Sequence, residues 1–265
     1  MIDFNLKILK DMILSIVETK YSFIKYEDSI LANNNETALS ALQIIILRHD
    51  VDLLPENAIK TAKLEHSLGI QGTYYFRIIA ETFRPDILRE IANMGHEIGY
   101  HYEDMDLVRA ESLDRQIDMA FDSFKRNLEK LRRIVPINTI CMHGSPSAKH
   151  DNKIIWEKYD YKSLGIVGEP YLDINWNEFG YLTDTGRRWN GNNYSVRDKV
   201  NSKYKFNFKT TQDIINNVNT LPDKMMITLH PQRWTDNWFD WTTELIAQNI
   251  KNSAKFALIK LRGNN

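Results

Sequence analysis

Ile44-Ile45-Ile46-Leu47-Arg48-His49-Asp50-Val51-Asp52 decides how the rest of the chain is read. The apolar run Ile44–Leu47 is short and rich in β-branched residues, the signature of a strand buried on both faces of a parallel sheet. It is predicted to stop at Arg48, where the chain turns polar. In extended chain alternate residues point the same way. Asp50 and Asp52 then share a face, and Val51 turns away. Two carboxylates this close repel, which calls for a cation beside them or a raised pKa on one. A divalent metal on one Asp would leave the other free as a base. The competing reading is a solvated acidic loop, or an Asp capping the helix that opens at Pro55. The apolar strand before the pair and the histidines at other strand ends weigh against it.

Working outward, Pro55-Glu56 opens a helix to about Leu68, closed by Gly69. Gly72–Arg77 is the next predicted strand, Asp86–Asn93 a helix, and His96–Tyr100 a strand. A long helix covers about Ser112–Leu131, and a strand after Pro136 ends near Met142. Residues 160–205 read as loops and short strands. Lys224–Leu229 is a last strand and Trp241–Ile259 a last helix. Upstream, Leu6, Ile8, Leu9, Met12, Ile13 and Ile16 mark an amphipathic helix, and Asn33–Thr37 a loop. The polar face of that helix is mixed in sign, which favours packing on the domain over a membrane surface. Alternating strand and helix argue for an α/β fold, a parallel sheet with helices outside, open or closed into a barrel. No repeat or composition shift marks a boundary. The expectation is one domain over 1–265, with 1–40 a helical extension packed on it.

The bulk numbers narrow the function. A 43% hydrophobic fraction supports a buried core and excludes a disordered tail. A net charge of −1 offers no excess to neutralise phosphates, so no nucleic-acid partner is expected. The single cysteine, Cys141, makes neither an internal disulfide nor a zinc knuckle. No window has the apolar length of a membrane span. Asp3 stands where a signal peptide needs positive charge, and Lys7, Lys10 and Asp11 break the apolar positions that follow. A cytoplasmic protein is expected.

The chemistry-bearing residues recur at strand ends. Asp50 and Asp52 follow the first core strand, His101 the strand after Gly95, His143 the strand after Pro136, and His230 the last strand. In barrel-like α/β folds such positions converge on one mouth. His96 and His101 are spaced one residue too far for the H-E-x-x-H zinc helix. As strand residues they face opposite ways, leaving His101 as the candidate ligand and His96 as a structural histidine. Cys141 lies on the side of His143 but deeper, a poor place for a nucleophile.

At these residues the sequence resembles the polysaccharide deacetylases, the NodB-homology family or carbohydrate esterase family four. Leu47–Asp52, Gly72–Phe76 and Gly95–His101 are similar in order and spacing to the family's first motif, central strand and metal-histidine motif. Leu229-His230 is similar to its last motif. The likeness spans residues 44 to 230. It is nearest to a divergent branch associated with bacterial surface-polysaccharide and lipopolysaccharide gene products. The resemblance implies a distorted (β/α) TIM-like barrel that removes acetyl groups from N-acetylated sugars with a divalent metal, zinc being the first choice. It implies Asp50 as general base, Asp52 and His101 as metal ligands and His230 as general acid. The family's second metal histidine falls at Met105, and a thioether is a poor zinc ligand here. His143 is the expected replacement, with Glu103 and Asp104 behind it. The arginine that supports the base in the family has no obvious counterpart, and Arg48 or Arg188 is the substitute.

Substrate contacts are expected from Arg48, Asp184, Arg188 and Trp234. Tyr102, Trp176 and Trp189 are further aromatic candidates, and the alternative role for Asp184 is to shape a turn. Two other functions remain open: a non-catalytic glycan binder that lost its metal, which Met105 favours, and a hydrolase of small amides, which a closed pocket would favour. A cytoplasmic deacetylase would act on a nucleotide-linked or lipid-linked sugar precursor.

Overall fold

The computed structural model describes residues 2–33, 42–145, 148–190 and 200–262, with side chains up to residue 253 except that of Asn33. The loop expected at 33–37 lies outside these residues but for Asn33, which ends a helix. The strands are β1 (Ser22–Ile24), β2 (Ile44–Val51), β3 (Thr73–Phe76), β4 (Glu97–Tyr102), β5 (Ile140–Met142), β6 (Phe179–Thr183) and β7 (Lys224–Leu229). The helices are α1 (Leu6–Val17), α2 (Tyr26–Asn33), α3 (Pro55–Ser67), α4 (Pro85–Asn93), α5 (Asp104–Leu107), α6 (Leu113–Arg132), α7 (Ile155–Lys158), α8 (Pro170–Asp173), α9 (Thr211–Asn216) and α10 (Trp238–Arg262).

All strand pairs are parallel, in the order β5-β4-β3-β2-β7-β6. β1 pairs with Ile44–Ile46, and β3 takes over the pairing of β2 at Arg48. Among the described residues no ladder joins β5 to β6. The sheet therefore curls into an incomplete, distorted (β/α) barrel, a single α/β domain as the alternation predicts. No described helix is long and apolar enough to cross a membrane.

The two-residue period of the strands sorts the core. Ile44 and Ile46 pack inside the barrel with Tyr75, Cys141, Phe179 and Met226. Ile45 and Leu47 face outward with Met225, Ile227 and Leu229, against the apolar stripe of α1. Further along the sheet Tyr74, Phe76, Ile98 and Tyr100 pack outward against Ile91 of α4 and Phe124 and Leu128 of α6. Gly69 (φ 73°) and Gly95 (φ 90°) take the left-handed turn after α3 and α4 that a side chain resists. Ser112 caps α6 by accepting the Arg115 amide.

Three boundaries differ from the sequence reading. β2 does not stop at Arg48 but runs to Val51, because the polar side chains on its inner face satisfy each other. β4 runs to Tyr102, so His101 sits inside a strand rather than past its end. The N-terminal region is more than a packed helix, since β1 joins the sheet and α2 follows it.

Candidate active site

Asp52 is the hub of the site. It lies one residue past β2, and three imidazole Nε2 atoms face its carboxylate. His101 Nε2 is 3.5 Å and His143 Nε2 3.6 Å from Oδ1, and His230 Nε2 is 3.8 Å from Oδ2. Each ring has its Nδ1 turned to a protein acceptor. His101 Nδ1 faces the Cys141 carbonyl at 2.9 Å, and His230 Nδ1 faces Asp184 Oδ1 at 2.6 Å. His143 Nδ1 lies 3.2 Å from Glu103 Oε2, at an angle too oblique for a full hydrogen bond. For His101 and His230 such hydrogen bonds favour the tautomer that leaves the Nε2 lone pair pointing inward, as in metal-binding histidines. Asp52 and His143 keep side-chain exposures of 20% and 17%, so the mouth opens over them.

Two of the spacings at Asp52 suit a divalent cation. Two ligands on a tetrahedral ion with bonds near 2.1 Å lie roughly 3.4 Å apart, close to the two spacings at Asp52 Oδ1. That oxygen is buried without a hydrogen-bond partner. Burial pushes the Asp52 carboxyl up, but His101, His143 and His230 around it outweigh this and hold the group well below the usual range. Among the described residues, the donor groups whose atoms all lie within 4.8 Å of one another are Asp50 with His101 and Cys141, and Glu103 with Asp106 and His143. A cation there would compete with a guanidinium, because Arg48 holds Asp50 and Arg77 holds Glu103.

Asp50 stands beside this cluster on the inner face of β2, its Oδ2 3.8 Å from His101 Nε2. Arg48, two residues earlier on the same face, grips it with Nε (2.8 Å) and Nη2 (2.7 Å). Nη2 also donates to the Tyr171 hydroxyl at 3.0 Å, and that ring lies 4.9 Å from the guanidinium carbon. Arg48 was expected at the substrate. It is fully buried instead, where it supports Asp50.

Asp184 and Trp234 are likewise interior rather than substrate-facing. Asp184 accepts from the His230 amide (3.0 Å), Arg233 Nη1 (2.6 Å) and Trp234 Nε1 (2.7 Å), besides facing His230 Nδ1. Burial raises its carboxyl, and Arg233 and His230 more than offset this, leaving it low. Arg188 is exposed beside the buried Trp189; its buried neighbour Arg187 pairs with Glu244 at 2.6 Å. Tyr102 and Trp189 are buried, and Trp176 packs on Tyr181. His96 is structural: Nδ1 accepts the Gly72 amide and Nε2 meets the Ala62 carbonyl.

Met105, at the family's second-histidine position, points into an apolar cluster with Ile117, Ala120 and Ile155. Asp104 is also buried, bonded to Tyr100, Ser123 and Asn127, and burial raises its carboxyl to about 6 despite those bonds. Glu103 is the opposite case. Burial pushes it up, but His143 and Arg77 bring it down to about 2. The sequence reading missed Arg77, Tyr171 and buried Glu169, which accepts the Met142 amide at 3.0 Å. Only Arg77 carried a signal, a charge directly after an apolar strand.

The sequence matches no protein-family model and no curated protein. Among solved structures the chain is similar to a mutant of a CE4 family pseudoenzyme with restored enzymatic activity, at TM-score 0.43 and 12% identity. That match covers 81% of this chain and 64% of the other, so this chain spans less than two thirds of its length. It is similar to a family 4 carbohydrate esterase from Bacillus anthracis, at TM-score 0.41 and 11% identity, covering 87% and 86%. It is also similar to PdaA of Bacillus subtilis, a family 4 carbohydrate esterase, at TM-score 0.42 and 14% identity, covering 83% of each chain. A likeness this distant assigns no activity to this chain.

Proposed function

We propose that the chain is a metal-dependent hydrolase that removes an N-acetyl or similar acyl group from a sugar of a surface-polysaccharide precursor. The observation that carries this reading is Asp52 facing three Nε2 atoms, with an arginine-held carboxylate, Asp50, beside them. The motifs at residues 44–52, 95–101 and 229–230 point the same way. Asp52, His101 and His143 would hold the ion and leave positions open to solvent and substrate. A divalent cation bound there would polarise the acyl oxygen and lower the pKa of a water.

The chain's own groups do the rest. Arg48 holds Asp50 oriented to take a proton from the attacking water. Asp184 holds His230 with Nε2 toward the mouth, where it can give a proton to the departing amine. The glycan-binder alternative rested on Met105, and a histidine from another strand beside Asp52 leaves it less support.

The test is acetate release, with zinc or cobalt supplied, from nucleotide-linked N-acetylhexosamines, chitooligosaccharides and N-acetylated small amides. Acetate from the sugars that stops in Asp50→Asn supports the proposal. Turnover of the small amides alone would replace it with the small-amide reading. Sugar binding without release would replace it with the glycan binder.

A further inference from the structure

Four neighbouring strands are tied in a ring at the site, each by one residue just past its end. Arg77 after β3 donates from Nη1 to the Asp52 carbonyl after β2, at 3.2 Å. The same guanidinium closes on Glu103 after β4, with Nε at 2.9 Å from Oε1 and Nη2 at 2.7 Å from Oε2. Glu103 Oε2 lies 3.2 Å from Nδ1 of His143 after β5, a close charge contact short of a full hydrogen bond. His143 Nε2 returns to Asp52 Oδ1. The order Asp52, Arg77, Glu103, His143 follows the sheet order β2-β3-β4-β5.

His143 needs such support more than its neighbours do. His101 sits within a strand, while His143 follows the three-residue strand β5. Its backbone is fixed, since its amide donates to the Tyr102 carbonyl at 2.8 Å and its carbonyl accepts Asn152 Nδ2 at 3.0 Å. Ring rotation and the tautomer remain to be set. A small ring rotation turns the 3.2 Å contact with Glu103 into a hydrogen bond that sets both, because an anionic acceptor favours the proton on Nδ1 and leaves the lone pair on Nε2. Both Glu103 oxygens are engaged by Arg77, which suits this carboxylate to aiming a ligand rather than acting as one.

We propose that Glu103, locked by Arg77, is a positioning residue that aims His143 Nε2 at the ion-binding position beside Asp52. This rests on reading the Asp52 cluster as a metal site. It explains how a histidine from β5 can stand in for one missing at residue 105: the carboxylate that steers it comes from the end of β4.

The test combines two measurements on the purified full chain: zinc affinity by chelator competition, and the His143 tautomer by long-range proton–nitrogen NMR, its signals assigned by their loss in His143→Gln. Wild type should carry the Nδ1–H tautomer even without metal. Glu103→Ala should lower zinc affinity about 10- to 100-fold and let the Nε2–H tautomer appear. Glu103→Gln, which keeps an acceptor, should recover most of both. If His143→Ala loses zinc affinity while Glu103→Ala keeps both affinity and tautomer, the positioning role is overturned and the metal site stands. If wild type binds no zinc, the metal reading fails by itself. The metal-free tautomer then decides whether Glu103 steers the ring: Nδ1–H lost in Glu103→Ala upholds its hold, and Nε2–H in wild type overturns it.

Discussion

Arg48 and Asp50 lie two residues apart on the inner face of β2, and the guanidinium closes on the carboxylate through bonds of 2.8 and 2.7 Å. Both side chains are buried, at 0% and 5% exposure. Removing one member of such a pair strands the other charge, at a cost of about 3–5 kcal/mol. Arg48→Met should therefore destabilise the protein by that order in urea unfolding and abolish turnover. The double variant Arg48→Met/Asp50→Leu should recover most of the stability and none of the activity. Arg48→Lys should behave as a partial loss, because an ammonium cannot match the two-pronged contact. Full activity in Arg48→Met would remove Arg48 from the support of the base.

The strand ends were legible because polarity changes abruptly there. Apolar runs closing on Asp50-Val51-Asp52, His143 and His230 give away both the parallel sheet and the face where these side chains gather. The sequence could not show which polar residues turn inward to one another. Arg48, Asp184 and Trp234 look like substrate contacts in one dimension, since each sits near a motif. In three dimensions Arg48 turns to Asp50, Asp184 to His230, and Trp234 to Asp184. β1 was illegible for a different reason: three residues are too few for a periodic signal, and its place in the sheet comes from pairing with Ile44–Ile46.

His230 and Asp184 separate proton donation from metal binding. If His230 protonates the leaving amine, His230→Ala should lower kcat on an amide by about 10²–10⁴. It should spare an aryl acetate, whose phenolate leaves without a proton, and should not change metal content. Asp184→Asn keeps the shape but removes the charge at His230 Nδ1, and roughly a 10- to 100-fold loss is expected. Equal losses on amide and aryl ester would argue that His230 binds the ion instead.

Met105→His asks whether the family's own ligand position still exists here. Met105 is 1% exposed among Ile117, Ala120 and Ile155. An imidazole there buries polar nitrogens without partners, at about 1–3 kcal/mol. Metal analysis of Met105→His/His143→Ala should show no recovery of binding, and thermal unfolding should show a loss of stability. Recovered metal would mean that α5 can turn residue 105 toward Asp52.

Glu97 predicts a pH dependence that has nothing to do with catalysis. It lies inside the barrel, bonded to Thr139 and, at 2.7 Å, to Thr73, with the Glu27 amide at 2.9 Å. Burial raises its carboxyl from 4.5 to about 7, against the pull of these bonds. Below pH 4.5 the group is protonated both folded and unfolded, and it adds no pH dependence. Between 4.5 and about 7 the folded chain holds a proton that the unfolded chain has released, so stability falls as pH rises. Above 7 the full cost is present, about 3.5 kcal/mol at roughly 1.4 kcal/mol per pKa unit. Glu169, also raised to about 7 by burial, acts in the same direction. Urea unfolding at pH 5 and pH 8 should therefore show wild type losing more stability than Glu97→Gln, by an amount of that order. Identical losses in the two proteins would mean that Glu97 is already ionised at pH 5, held by its hydroxyl and amide donors against burial.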